Sequence, residues 1–258
     1  MSQDDEKIKC PSGGGKRNET LIVQALNNKK FSELNANLQQ MIHAMGENSV
    51  LPDTLIKAEK IKGNHKADIF VEINNQKYNI SIKCGGSNSV HQEKVEDFIS
   101  FLESEYNMDD KLKNEIRFFI WGDGTLNGTG EISNRMDANE LKQKFPDVIS
   151  HLKDFFHENK EQLIERFLIN GAVSESIPDF IYYGTSEEGI IANAQDMFIW
   201  LCDDRNEKTK PTIPVGRFNF QAWNRNIKGG DKSEHKRGVI QLKWSPIKSD
   251  IEKMLEER

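Results

Sequence analysis

The chain lacks most of the features that assign a sequence quickly. Cysteine is scarce: Cys10, Cys84 and Cys202 are the three in 258 residues, and none has metal-ligand spacing. That odd count, with no secretion signal at the N-terminus, is read as free thiols in a reducing compartment, so a cytoplasmic protein is expected. Cys84 follows Lys83, but the sequence assigns no histidine partner to it, so a thiol nucleophile is not adopted. No apolar run approaches the length of a membrane span. Internal repeats and low-complexity tracts are absent as well. Positive charge is also in deficit. The formal net charge is -6 and the pI about 5.6, so the chain as a whole does not attract polyanions, and any such contact requires a local concentration of basic residues.

What remains is a polar globular composition: 29% charged, 36% hydrophobic, mean hydropathy -0.68. The length suits one large domain or two modest ones with a substantial core. Three regions are expected: a flexible lead over 1–15, a core over 16–202 and a basic C-terminal region over 203–258 packed on that core. The lead combines Asp4, Asp5 and Glu6 with Pro11-Ser12-Gly13-Gly14-Gly15 and shows no periodicity.

The stretch Lys66 to Lys83 organises the core. Two runs rich in Ile, Val, Phe and Tyr flank Asn74-Asn75, and asparagine tolerates the positive φ that a two-residue hairpin turn needs. With those two residues at the turn, Ile73 faces Gln76, Glu72 faces Lys77, Phe70 faces Asn79 and Asp68 faces Ser81. Side chains alternate along a strand. One face is therefore apolar, with Ile69, Val71, Ile80 and Ile82, and the other carries Asp68, Ser81 and Lys83. Opposed Cβ atoms lie about 5 Å apart. A carboxylate that holds a divalent metal beside a lysine that orients water or offsets charge can perform hydrolysis.

Asp68, twelve residues, then Ser81-Ile82-Lys83 resembles the Asp…(Asp/Glu)-x-Lys signature of the PD-(D/E)xK nuclease superfamily. Two departures stand out: Ala67 occupies the usual proline position, and Ser81 the position of a second acidic ligand. Together with the order of elements around it, the stretch from Glu19 to Gln92 resembles a type II restriction endonuclease. That resemblance implies an α/β fold, a PD-(D/E)xK restriction-endonuclease-like mixed sheet flanked by helices. It implies Mg2+ as cofactor and hydrolysis of phosphodiester bonds in specific double-stranded DNA sequences. A homodimer follows if the recognised site is palindromic, and a companion DNA methyltransferase is expected functionally, not as a bound partner. Asp68 and the Ile82 backbone carbonyl are the implied metal ligands, and Lys83 serves the attacking water. Glu19, on the first turn of a helix from Lys16, is the acid that would compensate for Ser81. Gln92 is the polar residue of a following helix. Same-fold nucleases of repair, junction resolution or phage defence remain open, as does a catalytically inactive DNA-binding relative.

Elsewhere, helices are expected over about Phe31–Met45, Val90–Tyr106, Pro146–Ile169, Ile190–Cys202 and Lys248–Leu255. His91 is read as a surface or capping residue. Ile116–Trp121 is read as a central strand and Asp179–Gly184 as another. Gly122-Asp123-Gly124 reads as a turn before it reads as a metal site. Pro178-Asp179 is a rival start for the signature and is rejected, because no acidic-x-Lys triplet follows at a suitable distance. Trp223 to Trp244 holds Arg225, Lys228, Lys232, Lys236, Arg237 and Lys243 against only Asp231 and Glu234. It is expected to be the DNA-contacting element, with the lysines on phosphates, Arg225 and Arg237 on guanine, and Asn224 and Gln241 on adenine.

Overall fold

The computed structural model describes residues 8–46, 49–63, 65–86, 88–106, 108–172, 175–207, 212–223 and 231–258. The chain opens with α1 (Gly14–Leu26), β1 (Lys29–Lys30) and α2 (Ala36–Ala44). Four strands follow: β2 (Leu55–Lys60), β3 (Ile69–Ile73), β4 (Gln76–Lys83) and β5 (Asn88–Lys94). Then come α3 (Val95–Glu105), α4 (Asp110–Trp121), α5 (Ala138–Lys144), α6 (Pro146–Glu158) and α7 (Lys160–Glu165), the last continued by a π-helical turn. β6 (Phe180–Gly184), β7 (Gly189–Asn193) and α8 (Ala194–Cys202) precede β8 (Pro214–Val215), β9 (Phe218–Ala222), β10 (Val239–Trp244) and α9 (Ile247–Glu256).

The chain forms two compact units. The first comprises residues 1–88, 168–200 and 245–258 and carries a mixed sheet in the order β1-β2-β3-β4-β6-β7. Its centre is the expected hairpin. Ile69 pairs with Ile80, Phe70 with Asn79, Glu72 with Lys77 and Ile73 with Gln76. Asn74 and Asn75 take φ of 51° and 66°, the left-handed pair that joins two strands in a tight turn. β4 then pairs in parallel with β6, which encloses it on both edges. Ile69, Val71, Ile73, Ile80 and Ile82 face a buried cluster with Ile22 and Leu26 of α1 and Leu38, Met41 and Ile42 of α2.

The second unit comprises residues 89–167 and 201–244 and carries the sheet β5-β10-β9-β8. Phe156 packs on Phe220 with ring centroids 4.6 Å apart, and Phe98, Phe119 and Phe167 complete an aromatic core.

Several elements differ from the sequence reading. Ile116–Trp121 is the end of α4, not a strand. Asp109 caps that helix by accepting from the Leu112 amide at 2.8 Å, Gly122 closes it at φ 65°, and Ile116, Phe119 and Ile120 are buried at helical spacing. The segment from Asn88 to Lys94 is strand β5, and the helix begins only at Val95. His91 is buried on that strand, its Nε2 2.7 Å from Glu93, so it is neither a surface nor a capping residue. Residues 189–193 form strand β7 before α8 begins. The helix expected from Phe31 starts at Ala36, where Asn35 caps it through the Leu38 amide.

Candidate active site

The alternation of the hairpin brings four residues of the first unit together. Asp68 stands one residue before β3, its amide donating to the Ile80 carbonyl at 2.9 Å, which continues the ladder past the strand's end. Its Oδ2 accepts from the Ile82 amide at 2.6 Å, from Ser81 Oγ at 3.3 Å and from Lys83 Nζ at 3.3 Å. Lys83 Nζ also donates to Ser81 Oγ at 2.7 Å and to the Ile82 carbonyl at 3.0 Å. Ser81 is buried, while the Asp68 and Lys83 side chains keep 24% and 17% of their surface exposed, so solvent reaches the pair. The cluster therefore joins a carboxylate, a hydroxyl, a backbone carbonyl and an ammonium at the end of a central strand.

Glu19 is placed differently from the sequence reading. α1 begins at Gly14, so Glu19 lies beyond the first turn. Asn18 anchors the helix by donating from Nδ2 to the Gly184 carbonyl at 2.7 Å. Glu19 Oε2 is bound to Lys60 Nζ at 2.6 Å. Lys60 pairs across the sheet with Ile69. Alternation sets that ion pair on the helix-covered face, whereas Asp68, Ser81 and Lys83 share the other. Glu72 shares the Asp68 face toward the turn and pairs with Lys57 at 2.6 Å. Among the described residues, no group of three or more His, Cys, Asp or Glu side chains converges as a metal centre. The oxygen donors at the cluster are thus Asp68, the Ile82 carbonyl and Ser81 Oγ, a hard set that suits Mg2+ completed by waters and phosphate.

The loop after Lys83 is pinned on several sides. Cys84 forms a disulfide with Cys10, with Cα atoms 5.3 Å apart and a sequence separation of 74. This corrects the expectation of three free thiols; Cys202 remains free. The Gly85 amide donates to the Ile8 carbonyl at 3.0 Å, and the Gly85 carbonyl accepts from the Tyr183 hydroxyl at 3.0 Å and from Asn88 Nδ2 at 2.9 Å. No spacing pattern signals a pair so far apart, so the sequence reading missed it. Asp179 serves the sheet: its Oδ2 accepts from the Asn79 amide at 2.7 Å.

Within the second unit, Gln92 sits on β5, not on a helix, and donates to Ser89 Oγ at 2.9 Å. Burial raises the Glu93 pKa, but hydrogen bonds and charge from His91 and Arg166 outweigh that and hold its carboxyl below the ordinary range. Asn224, Arg225 and Lys228 lie outside the described residues, and Lys232 falls in the 3-10 segment Asp231–Lys236. Lys236 places its ammonium 4.4 Å from the centre of the Trp223 ring. Lys243 is half-buried on β10 opposite Asn219. The structure commits the other two expected base readers to the interior. Gln241 is buried and accepts from Gln221 Nε2 at 3.1 Å. Arg237 pairs with Asp123 at 3.0 Å and Glu234 at 3.2 Å and also donates to the Gly128 carbonyl at 3.3 Å. Asp123 is the hub of its turn, since its carboxylate also accepts from the Thr125 hydroxyl at 2.7 Å and the Gly130 amide at 3.2 Å. The turn reading of Gly122-Asp123-Gly124 thus agrees with the geometry.

A solved structure of restriction endonuclease MspI in complex with its cognate DNA superposes on this chain with a TM-score of 0.54. The match covers 89% of this chain and 88% of that one at 15% identity. The protein has a restriction-endonuclease-like fold. No family model and no curated protein matches the sequence. At that identity the likeness speaks for the architecture, and chemistry must be argued from the cluster. No helix among the described residues is long and apolar enough to cross a membrane.

Proposed function

We propose that this protein is a Mg2+-dependent endonuclease that hydrolyses phosphodiester bonds in specific double-stranded DNA sequences, as a type II restriction enzyme does. The observation that carries the reading is the Asp68–Ser81–Ile82–Lys83 cluster at the end of a central strand in a restriction-endonuclease-like fold. Asp68 and the Ile82 carbonyl would hold the ion, with Ser81 Oγ as a further oxygen donor. When bound, Mg2+ lowers the pKa of a water and polarises a phosphoryl oxygen. Lys83 orients that water and offsets charge at phosphorus. Glu19, the acid expected to compensate for Ser81, is paired with Lys60 on the helix-covered face and is not among the proposed ligands. The basic stretch Trp223–Trp244 contacts DNA through Arg225, Lys228, Lys232, Lys236 and Lys243, with Asn224 as a base reader, while Arg237 and Gln241 support it from within. A homodimer follows if the recognised site is palindromic, and a companion methyltransferase is then expected functionally.

The test is digestion of a long DNA of known sequence by purified protein with Mg2+. Discrete fragments are expected. A smear would instead assign a nuclease of the same fold without site preference. Intact DNA that is nevertheless bound would assign a DNA-binding relative without catalysis.

A further inference from the structure

Lys83 has three N–H donors, and the structure gives all three an oxygen: Ser81 Oγ at 2.7 Å, the Ile82 carbonyl at 3.0 Å and Asp68 Oδ2 at 3.3 Å. Those are the same oxygens that the metal-site reading assigns to the ion. Asp68 Oδ2 is already shared among the Ile82 amide, Ser81 and Lys83. A divalent ion needs close, geometrically demanding contacts to its oxygens, about 2.0 to 2.1 Å for Mg2+. An ammonium hydrogen-bonded to the same oxygens stands in the way and repels a dication. Lys83 is tethered by a flexible four-carbon stem, so it can leave without disturbing the strand.

We infer that the Lys83 ammonium and the divalent ion compete for one set of oxygens, so that Lys83 sets the metal affinity of the site and must withdraw as the ion enters. Lys83 is thereby more than a group waiting beside a preformed metal site. Withdrawal releases its three hydrogen bonds and sends the ammonium outward from the strand. The metal ion and the Lys83 position are coupled. This inference rests on the metal-site reading above, and the experiment separates failure of the one from failure of the other.

Mn2+ binding to the DNA-free protein is followed by the electron paramagnetic resonance of the free ion, for wild type, Lys83→Met, Lys83→Gln, Lys77→Met and Asp68→Ala. Removing the competing ammonium should tighten Mn2+ about tenfold in both Lys83 variants, the factor expected when one charge-assisted hydrogen bond no longer opposes the ion. Lys77→Met makes the same change in net charge at the turn end of the hairpin, where Lys77 stands 3.9 Å from the Phe70 ring centre, and should leave the affinity unchanged. Asp68→Ala should weaken binding. Equal or weaker Mn2+ binding in both Lys83 variants, with binding still lost in Asp68→Ala, overturns the competition and leaves the metal site in place. Unchanged binding in Asp68→Ala overturns both. A measurement on the wild type covers the case of variants that fold poorly. Reductive methylation of Lys83, read by mass spectrometry against Lys77, should rise when Mn2+ is added, and labelling that does not change overturns the inference.

Discussion

At the residue scale, the site is a problem in charge placement. Asp68 Oδ2 accepts three hydrogen bonds, one from a main-chain amide, and so its position follows from the β4 backbone as much as from its own rotamer. Asp68→Ala and Lys83→Ala should each lower DNA cleavage by about a hundredfold or more, the usual cost of removing a group that stabilises developing charge. Circular dichroism and urea unfolding would show whether each variant remains folded, and full activity in either would remove it from the mechanism. Glu19 and Glu72 offer a sharper comparison. Both are ion-paired, with Lys60 and Lys57 respectively, and Glu19 lies on the helix-covered face away from Asp68. Glu19→Gln and Glu72→Gln should both leave Mg2+ binding by calorimetry near wild type, and weaker binding in Glu19→Gln would restore that residue to the ligand set. Asp123 is the corresponding structural case. Burial raises its pKa, but the Thr125 and Arg237 hydrogen bonds outweigh that and hold the carboxyl below its ordinary range. Its contribution is therefore present above the unfolded carboxylate pKa of about 3.9 and is lost as pH falls through the lower folded value. Asp123→Ala leaves Arg237 buried without its main partner and should cost about 3 kcal/mol in urea denaturation at neutral pH. A loss below about 1 kcal/mol would mean that Glu234 alone satisfies the guanidinium.

At the element scale, what was legible follows from period and turn chemistry. The hairpin was readable to the residue because Asn74-Asn75 specify the turn, and a one-residue slip would turn polar side chains of the active face toward the apolar cluster. Ile116–Trp121 was not readable. A short apolar run has no period of its own, and only the caps at Asp109 and Gly122 distinguish helix from strand. Gln92 was displaced for a related reason: Asn88–Lys94 is short and polar enough to extend the helix pattern, and only its pairing with β10 makes it a strand. The Cys10–Cys84 link had no local signal at all. It ties the segment before α1 to the residue after Lys83, closing a long loop of the unfolded chain. In the chain-entropy view such a link contributes up to about 4 kcal/mol. Protein purified without reductant and unfolded in guanidinium should therefore show one titratable thiol, Cys202, and reduction should lower its unfolding midpoint. Burial, helped by the Glu161 charge, pushes the Cys202 pKa up to about 12, so in the folded protein that thiol should react slowly. Three thiols before reduction would show the pair to be open.

At the scale of the whole molecule, the difficulty is an acidic chain proposed to act on an acidic polymer. A net charge of -6 repels a duplex from most of the surface, and attraction must come from a local basic field. Trp223–Trp244 is the densest such stretch in the sequence, yet its cations do different work. Arg237 is held inside by Asp123 and Glu234, so its charge is already neutralised by the protein. Lys236, by contrast, rests on the face of Trp223, and an ammonium over a ring keeps its charge while gaining a fixed position. Each phosphate met by a lysine or arginine releases condensed counterions and steepens the log–log salt dependence of binding by about 0.9. Alanine at Lys228, Lys232, Lys236 or Lys243 should therefore weaken binding to all duplexes alike and, for each true phosphate contact, flatten that slope by about one unit, measured in Ca2+ to prevent cleavage. Arg225→Ala should act differently, relaxing sequence preference at a cost of about 1 to 3 kcal/mol if its guanidinium reads guanine. Arg237→Ala should act through stability, lowering the urea midpoint together with affinity. Wild-type affinity, slope and preference in all five of these variants would mean that this stretch does not meet DNA and that the repulsion of the chain is overcome elsewhere.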